Sequence, residues 1–509
     1  MGLLSEFTAQ AVPTLVALGI FYAIAFPIYR VYFSPLSKFP GPKLAAATLW
    51  YEFYYDVILN GQYEFKIQEL HKQYGPIIRI SPFELHINDP EYYDVLYSNN
   101  LPVNKSSWYT RQFDMGHATF GTIEHKQHRL RRSALNPFFS KQMISKLEPT
   151  IQAVVEKLFS RLEEFRGAGK PVEMRAAYSA LTIDVITAYA FNESWEHLDS
   201  PDFKKDWFDG VHLMMGAGNF MKQFPWLFSV VRVLPQSVVV WLSPTFENIF
   251  MYENRIKAQT ERVIAGASEP GKGDSGIGLD KTIMHALLQS DLPPEERTAK
   301  RLWSEGLSVV GAGSETSANT LAVMHFHLLD NPNMLTKLRA ELKEALPDGN
   351  APIKLNVVER LPYLTAVITE GLRLSSGVSS RLGRNLPGSS MRYKDFVIPA
   401  GTSVGMTPYL LNLDPNIFPE PTKFSPERWL DKSTSKQLDK YMVAFSRGTR
   451  ICLGINLAKA ELYLTVATIF RRFDTMKLFE TTKRDVTPIY DHFIPHPALD
   501  SKGVRVLYG

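Results

Sequence analysis

The sequence has one cysteine, Cys452, in 509 residues. An intrachain disulfide is therefore excluded, and nothing ties the chain to an oxidising compartment. Excess charge is lacking too: a net +4 over this length gives no footing for nucleic acid. No internal repeat occurs, and no flavin or nicotinamide fingerprint is present. One stretch, Gly266-Ala-Ser-Glu-Pro-Gly271-Lys272, approaches a phosphate-binding loop, but Gly273 stands where a hydroxyl is required. It also follows a helical pattern (Glu247 to Ile264) rather than a strand, so Gly266 to Gly278 reads as a surface loop.

Charge is absent altogether between Glu6 and Arg30, and Leu15 to Ile28 is almost wholly apolar. That length suffices for a membrane-spanning helix, in which Pro13, Gly19 and Pro27 are tolerated. A cleaved signal peptide or a buried helix would share the pattern, but no small-residue cleavage site stands out. A basic, proline-rich stretch follows, with Arg30, Lys38, Pro40, Gly41, Pro42 and Lys43. Positive charge on that flank predicts a cytosolic body. Residues 1–32 thus read as a membrane anchor, 33–45 as a stiff hinge, and 46–509 as the globular domain.

What is present is a globular composition, 45% hydrophobic and 21% charged. Tyr51 to Tyr74 reads as helical, and Ile77 to Ile80 with Glu84 to Ile87 as a hairpin. Helical patterns dominate from Glu91 to Leu374, after which short strands such as Phe396 to Ile398 mix with proline-rich loops.

The chemistry gathers at Phe445-Ser-Arg-Gly448-Thr-Arg450-Ile-Cys452-Leu-Gly454. From Asn456 a helix is predicted, with Leu457, Ala460, Glu461, Leu464 and Thr468 at spacings of three and four. A thiol just ahead of a helix start meets unpaired N–H groups and the positive dipole end, which favour thiolate. Flanking glycines let the backbone close around the sulfur. A lone cysteine is most often a small buried hydrophobe. Five fixed positions in F-x-x-G-x-R-x-C-x-G, however, match by accident in on the order of one such chain in ten thousand. Axial ligation of haem iron is the role that suits such a thiolate.

Two further patterns precede it. Val310-Gly-Ala312-Gly313-Ser-Glu315-Thr316 lies within a helical stretch from about Thr298 to Leu329. Paired mid-helix glycines, each costing about 1 kcal/mol, serve either a close helix crossing or a flat ligand against the helix. Ala312 and Thr316 lie one turn apart on one side. Glu370-Gly-Leu-Arg373 can pair on its own helix and precedes Phe424-Ser-Pro-Glu-Arg428-Trp429.

The cysteine stretch resembles the haem-binding signature of the cytochrome P-450 monooxygenases, and the other motifs follow that family's order. The resemblance covers nearly the whole chain. It implies a mainly α fold with small β-sheets behind an N-terminal transmembrane helix, and haem b ligated by Cys452. Phe445, Gly454, Ala312 and Gly313 would border the haem. Arg450, Arg381, Arg132 and His128 would meet its propionates, His128 standing where many members have tryptophan. By the same resemblance Thr316 hydrogen-bonds dioxygen, Glu315 delivers protons, and Glu370, Arg373 and Arg428 form a buried ionic triad.

By family position the resemblance implies substrate contacts from Trp108 to Thr122, around Met214 and Met215, Ala312 and Gly313, Val378 to Ser380, and Phe493-Ile494. Their apolar character implies an apolar small molecule. Asn136-Pro-Phe-Phe-Ser140 and Ser379-Ser-Arg-Leu382 look most like fungal secondary-metabolism members, hence a terpenoid or polyketide-like substrate. The implied partners are O2, NADPH-cytochrome P-450 reductase and the endoplasmic reticulum membrane, spanned once. A non-oxygenating haem isomerase or dehydratase, or a membrane-tethered haem sensor, are the rival readings.

Overall fold

The computed structural model describes residues 2–244, 246–266 and 282–509. Apart from Gly266, the glycine-rich stretch up to Gly278 lies outside the described residues. The fold is mostly helical with small sheets.

Helix α1 (Gly2–Tyr32) opens the chain. Its apolar part, Val12–Tyr32, has a mean hydropathy of 1.9 and is long enough to cross a membrane. Its end is tied to the body: Arg30 Nη1 donates to Ala47 O at 3.0 Å, and Arg79 Nη1 donates to Arg30 O at 2.7 Å. The stretch expected as a hinge is docked rather than free. Arg79 N donates to Pro40 O at 2.6 Å, and Phe39, buried, stacks on Phe396 with ring centres 5.2 Å apart. A Cβ on Gly41 would come within 2.4 Å of Arg79 O, so only glycine permits this contact.

The predicted helix from Tyr51 to Tyr74 is broken. Helical turns over residues 50–58 end at Asn60 and Gly61, both at positive φ, before α2 (Tyr63–Tyr74) begins. The cause is a distant neighbour: a Cβ on Gly61 would sit 2.4 Å from Asp491 O. The predicted hairpin forms as β1 (Ile77–Arg79) and β2 (Glu84–Ile87). They join β3 (Asn104–Lys105), β4 (Arg384–Asn385) and β5 (Ser403–Gly405) in a sheet of order β1-β2-β5-β4-β3. Only β2 and β5 run parallel. Near the C-terminus β6 (Tyr490–His492) and β7 (Ile494–His496) form a separate hairpin.

Helix α3 (His125–Leu135) starts at Glu124, whose carboxylate accepts from Gln127 N. The core is organised by α4 (Met174–Phe191), buried along its whole length, and α6 (Ala299–Asp330), which crosses it. Glycine makes the crossing possible. A Cβ on Gly306 would lie 3.0 Å from Phe191, and one on Gly313 2.9 Å from Ile186. Helix α5 (Lys205–Gln223) also contacts α4. Helices α7 (Pro362–Ser375) and α8 (Ile455–Arg472) contact α6 as well.

Candidate active site

Cys452 precedes α8 by three residues, on a loop held by its own backbone. Cys452 N donates to Phe445 O at 2.9 Å, and Ile451 N to Gly448 O at 3.0 Å. Gly448 has φ +73 and approaches Tyr97 so closely that a Cβ would meet its carbonyl oxygen at 2.1 Å. The Cys452 side chain is solvent-accessible, yet burial raises its thiol above the ordinary value. Both hold together when the sulfur opens onto an internal space walled by protein. Gly454 N–H, bonded to the sulfur, and Arg132 pull the other way. For the bare thiol, then, burial outweighs the helix-start effect read from the sequence, and a cation at the sulfur is needed to hold the thiolate.

Ala312 is exposed although it lies in the middle of the buried α6, so it borders an internal space too. One turn on, Thr316 Oγ1 donates to Ala312 O at 3.0 Å. Gly313, expected at the ligand face, has a helix-crossing role as well, since a Cβ there would lie 2.9 Å from Ile186 of α4.

Glu315 is buried and turned towards α4 and α5. Its Oε2 lies 2.9 Å from His212 Nε2 and 3.4 Å from Arg175 Nη2. Despite burial, these partners hold the carboxyl down at about 2, so it is ionised at neutral pH. The hydrogen bonds of Glu315 and Thr316 therefore go to different partners. His212, which the sequence did not single out, is bonded to Glu315 and is itself only partly buried.

Cations without carboxylates mark the rest of the site. Arg450 donates through Nη1 to Thr122 O at 2.6 Å and through Nη2 to Ile123 O at 2.7 Å, leaving Nε buried and unpartnered. Burial and the neighbouring Arg384 lower it to about 9. Lys105 donates to Phe120 O at 2.5 Å and is lowered well below its ordinary value by burial, then by Arg384 and Arg450. His128 is buried with Nδ1 unpartnered, and is lowered to about 2 by burial, then Arg450, Lys105 and Arg132. It is a neutral N–H donor, not the pH-variable charge its type suggests. Among the described residues, no ion pair involves Lys105, Arg132, Arg384 or Arg450. Like charges held together in a buried place destabilise unless an anion joins them. A planar group carrying two carboxylates and an iron for the sulfur fits this donor set.

Arg381 is not part of it. Expected at the propionates, it is instead spent on three buried carboxylates: Glu52 at 2.7 Å, Glu64 at 2.8 Å and Glu84 at 3.1 Å. The correction has a plain cause, since all its nitrogens are occupied. Arg384, three residues on, enters the cation cluster, and Lys105 with it. Both were missed.

Behind the cysteine loop, Glu370 accepts from Arg373 Nε and Nη2, each at 2.8 Å, and from Arg428 Nε at 3.0 Å. Trp429 Nε1 and Ser425 N, both at 2.9 Å, complete its shell. Burial would raise this carboxyl, but the two arginines bring it below its ordinary value.

Comparison with known proteins agrees with this geometry. The chain is 47% identical over 96% of its length to a cytochrome P-450 monooxygenase of Ascocoryne sarcoides, covering 97% of that protein. It is 42% identical to the tryptophan 6-hydroxylase of Fusarium equiseti, over 94% of this chain and 93% of the other. Against the N-acetyltryptophan 6-hydroxylase of Emericella nidulans it is 39% identical over 98% of both. With residues 40–496 matched to the family described as cytochrome P-450, the chain belongs to that family of haem-iron monooxygenases.

Proposed function

We propose that this protein is a membrane-anchored haem-thiolate monooxygenase. It inserts one oxygen atom of O2 into a C–H or C=C bond of an apolar small molecule in fungal secondary metabolism. The observation that carries the reading is the cluster of Lys105, Arg132, Arg384 and Arg450, which among the described residues forms no ion pair, beside the space onto which Cys452 opens. Haem b, bound there through Cys452, supplies O2 binding and reductive O–O scission.

The protein's own groups do the rest. Arg384, Arg450 and Lys105 bind the two propionates, with His128 donating an N–H. Arg132 lies close enough to Cys452 to lower its thiol. Thr316, whose hydroxyl donates to Ala312 O at 3.0 Å, would supply from Oγ1 a fixed last position for a proton on its way to the site. Glu315, already ionised, accepts protons arriving through His212 and passes them inward. Electrons come from NADPH through a separate flavoprotein reductase, so that RH, O2, NADPH and a proton give ROH, water and NADP. A groove of about 330 Å³ lined by Arg129, Arg132, Asn136 and Thr449 offers an acidic donor a cationic seat on the sulfur side. Arg131 is not available there, being paired with Glu296 at 2.7 Å.

The substrate wall is aromatic. Phe493 stands 5.0 Å from Phe113 and 6.0 Å from Phe120, ring centre to ring centre. Two relatives are named for hydroxylating tryptophan or its N-acetyl derivative, so indoles join terpenoids and polyketides as the substrates to be tried. The test has two stages. Reduced protein under carbon monoxide must show the red-shifted Soret band of thiolate-ligated haem. NADPH consumption with reductase must then rise on adding a substrate identified from metabolites accumulating in a host lacking the protein.

A further inference from the structure

The hairpin of β6 and β7 turns on one residue. His492 pairs with Ile494, and Phe493 alone makes the tip at φ +71. Glycine or asparagine adopts that conformation readily, and a bulky side chain does so only when its surroundings enforce it. Here an aromatic ring is kept against that preference. The ring meets Phe113, Phe120 and Tyr109, and Phe120 carries the Lys105 ammonium 3.7 Å above its face. The tip therefore reaches the edge of the cation cluster.

What enforces the tip is Asp491. Its Oδ1 accepts from Phe493 N at 3.0 Å, from Ser379 Oγ at 2.6 Å and from Ser380 Oγ at 2.8 Å. Ser379 N donates in turn to Phe493 O at 2.9 Å, so the tip is held through both its backbone groups. The aspartate itself has little freedom. Asn219 of α5 donates to its carbonyl at 2.8 Å, and its N–H reaches Gly61 O at 2.8 Å. One buried carboxylate thus joins the segment after α7, the hairpin and, through its backbone, α5 and the turn at Gly61.

We infer that Asp491 is a positioning residue for substrate selection, fixing the Phe493 ring over the chamber and so deciding which apolar molecules fit beneath it. The inference rests on the proposed haem-thiolate reading. Ligation of the sulfur can be checked separately, by the carbon monoxide spectrum. A turn lock alone would be satisfied by any residue at the tip. Aromatic bulk at positive φ is what ties the lock to the chamber.

The experiment uses the full-length holoenzyme and a phenyl-substituted triazole, which ligates the haem iron and does not itself protonate near neutrality. Binding is read from the Soret shift. Phe493→Ala should weaken binding about tenfold through the lost ring contact. Asp491→Ala should do the same, and the double variant should be no worse than either single one. Asp491→Asn keeps an oxygen at the Oδ1 position and should bind within about twofold of the parent. Should Asp491→Ala not fold, Asp491→Glu replaces it: the charge stays, the oxygen is displaced by a methylene, and the same loss is expected. Additive losses, an unaffected Asp491 variant beside a weakened Phe493→Ala, or failure of asparagine to rescue would each overturn the inference. A normal carbon monoxide spectrum throughout shows that the haem-thiolate reading stands regardless.

Discussion

Arg384 stands directly across from Lys105 in the register of β3 and β4, two cations paired cross-strand with no acid between them. Like charges placed opposite each other destabilise a sheet. The pair makes sense as half of a site whose other half is a dianion.

Arg381 and Arg384 should therefore fail in different ways. Arg384→Ala should leave the apoprotein as stable as the parent, or slightly more so, while haem occupancy falls. Arg381→Ala leaves Glu64 and Glu84 in the interior without their cation, Glu52 keeping Lys222, and should cost about 3–5 kcal/mol, whether or not haem is present. Haem content by pyridine haemochromogen, set beside thermal unfolding of the apoprotein, separates the two.

Cys452→Ala should lose thiolate ligation outright. Because the bare thiol is raised by burial, haem binding by the parent should also release a proton. Reconstitution in weak buffer, followed by pH, should show that release in the parent and not in Cys452→Ala.

Removing the hydroxyl at Thr316 should leave the fold intact and divert electrons, since nothing then fixes the last proton. Thr316→Ala should consume NADPH at a comparable rate while releasing peroxide instead of product. His212→Phe should slow turnover and enlarge the solvent deuterium isotope effect without altering peroxide yield much. Tight coupling in the first variant, or an unchanged isotope effect in the second, removes that residue from the proton path.

Glu461 on α8 is buried, with Oε1 unpartnered, and burial raises its carboxyl to about 8. In the unfolded chain it titrates near its ordinary value of about 4.3. Between those limits the folded state binds more protons than the unfolded, so stability is full below the window and falls as pH rises through it. Glu461→Gln should flatten that decline, and urea unfolding from pH 5 to 9 would register it as a smaller loss.

The parts of the site legible in the sequence are those whose neighbours are local. Phe445 and Gly454 lie within seven residues of Cys452 and bond to it directly. Glu370 and Arg373 share one turn of α7. The arginines after α7 were misjudged because their partners come from elsewhere in the chain: three acids from residues 52–84 claim Arg381, and a strand partner at residue 105 stands opposite Arg384. No local pattern encodes those meetings, although a spacing of three in extended backbone puts the two side chains on opposite faces. From its type alone Gly313 is open to either reading, and the approach of Ile186 shows the helix-crossing role that no local pattern encodes. The break in the helix before α2 did have a signal, since Asn60-Gly61 is a turn dipeptide.

The bonds joining Arg30, Ala47 and Arg79 set the posture of the whole molecule. A slack leader would let the body tumble above the bilayer like a float on a string. Here the last turn of α1 is bolted to the first strand, so once that helix is embedded the tilt of everything beyond it is dictated. Leu44, Trp50, Tyr54 and Ile58, exposed in the segment that follows, would then be held in one fixed relation to the bilayer. With α1 embedded, an oily molecule dissolved in the membrane would meet the same flank of the protein every time.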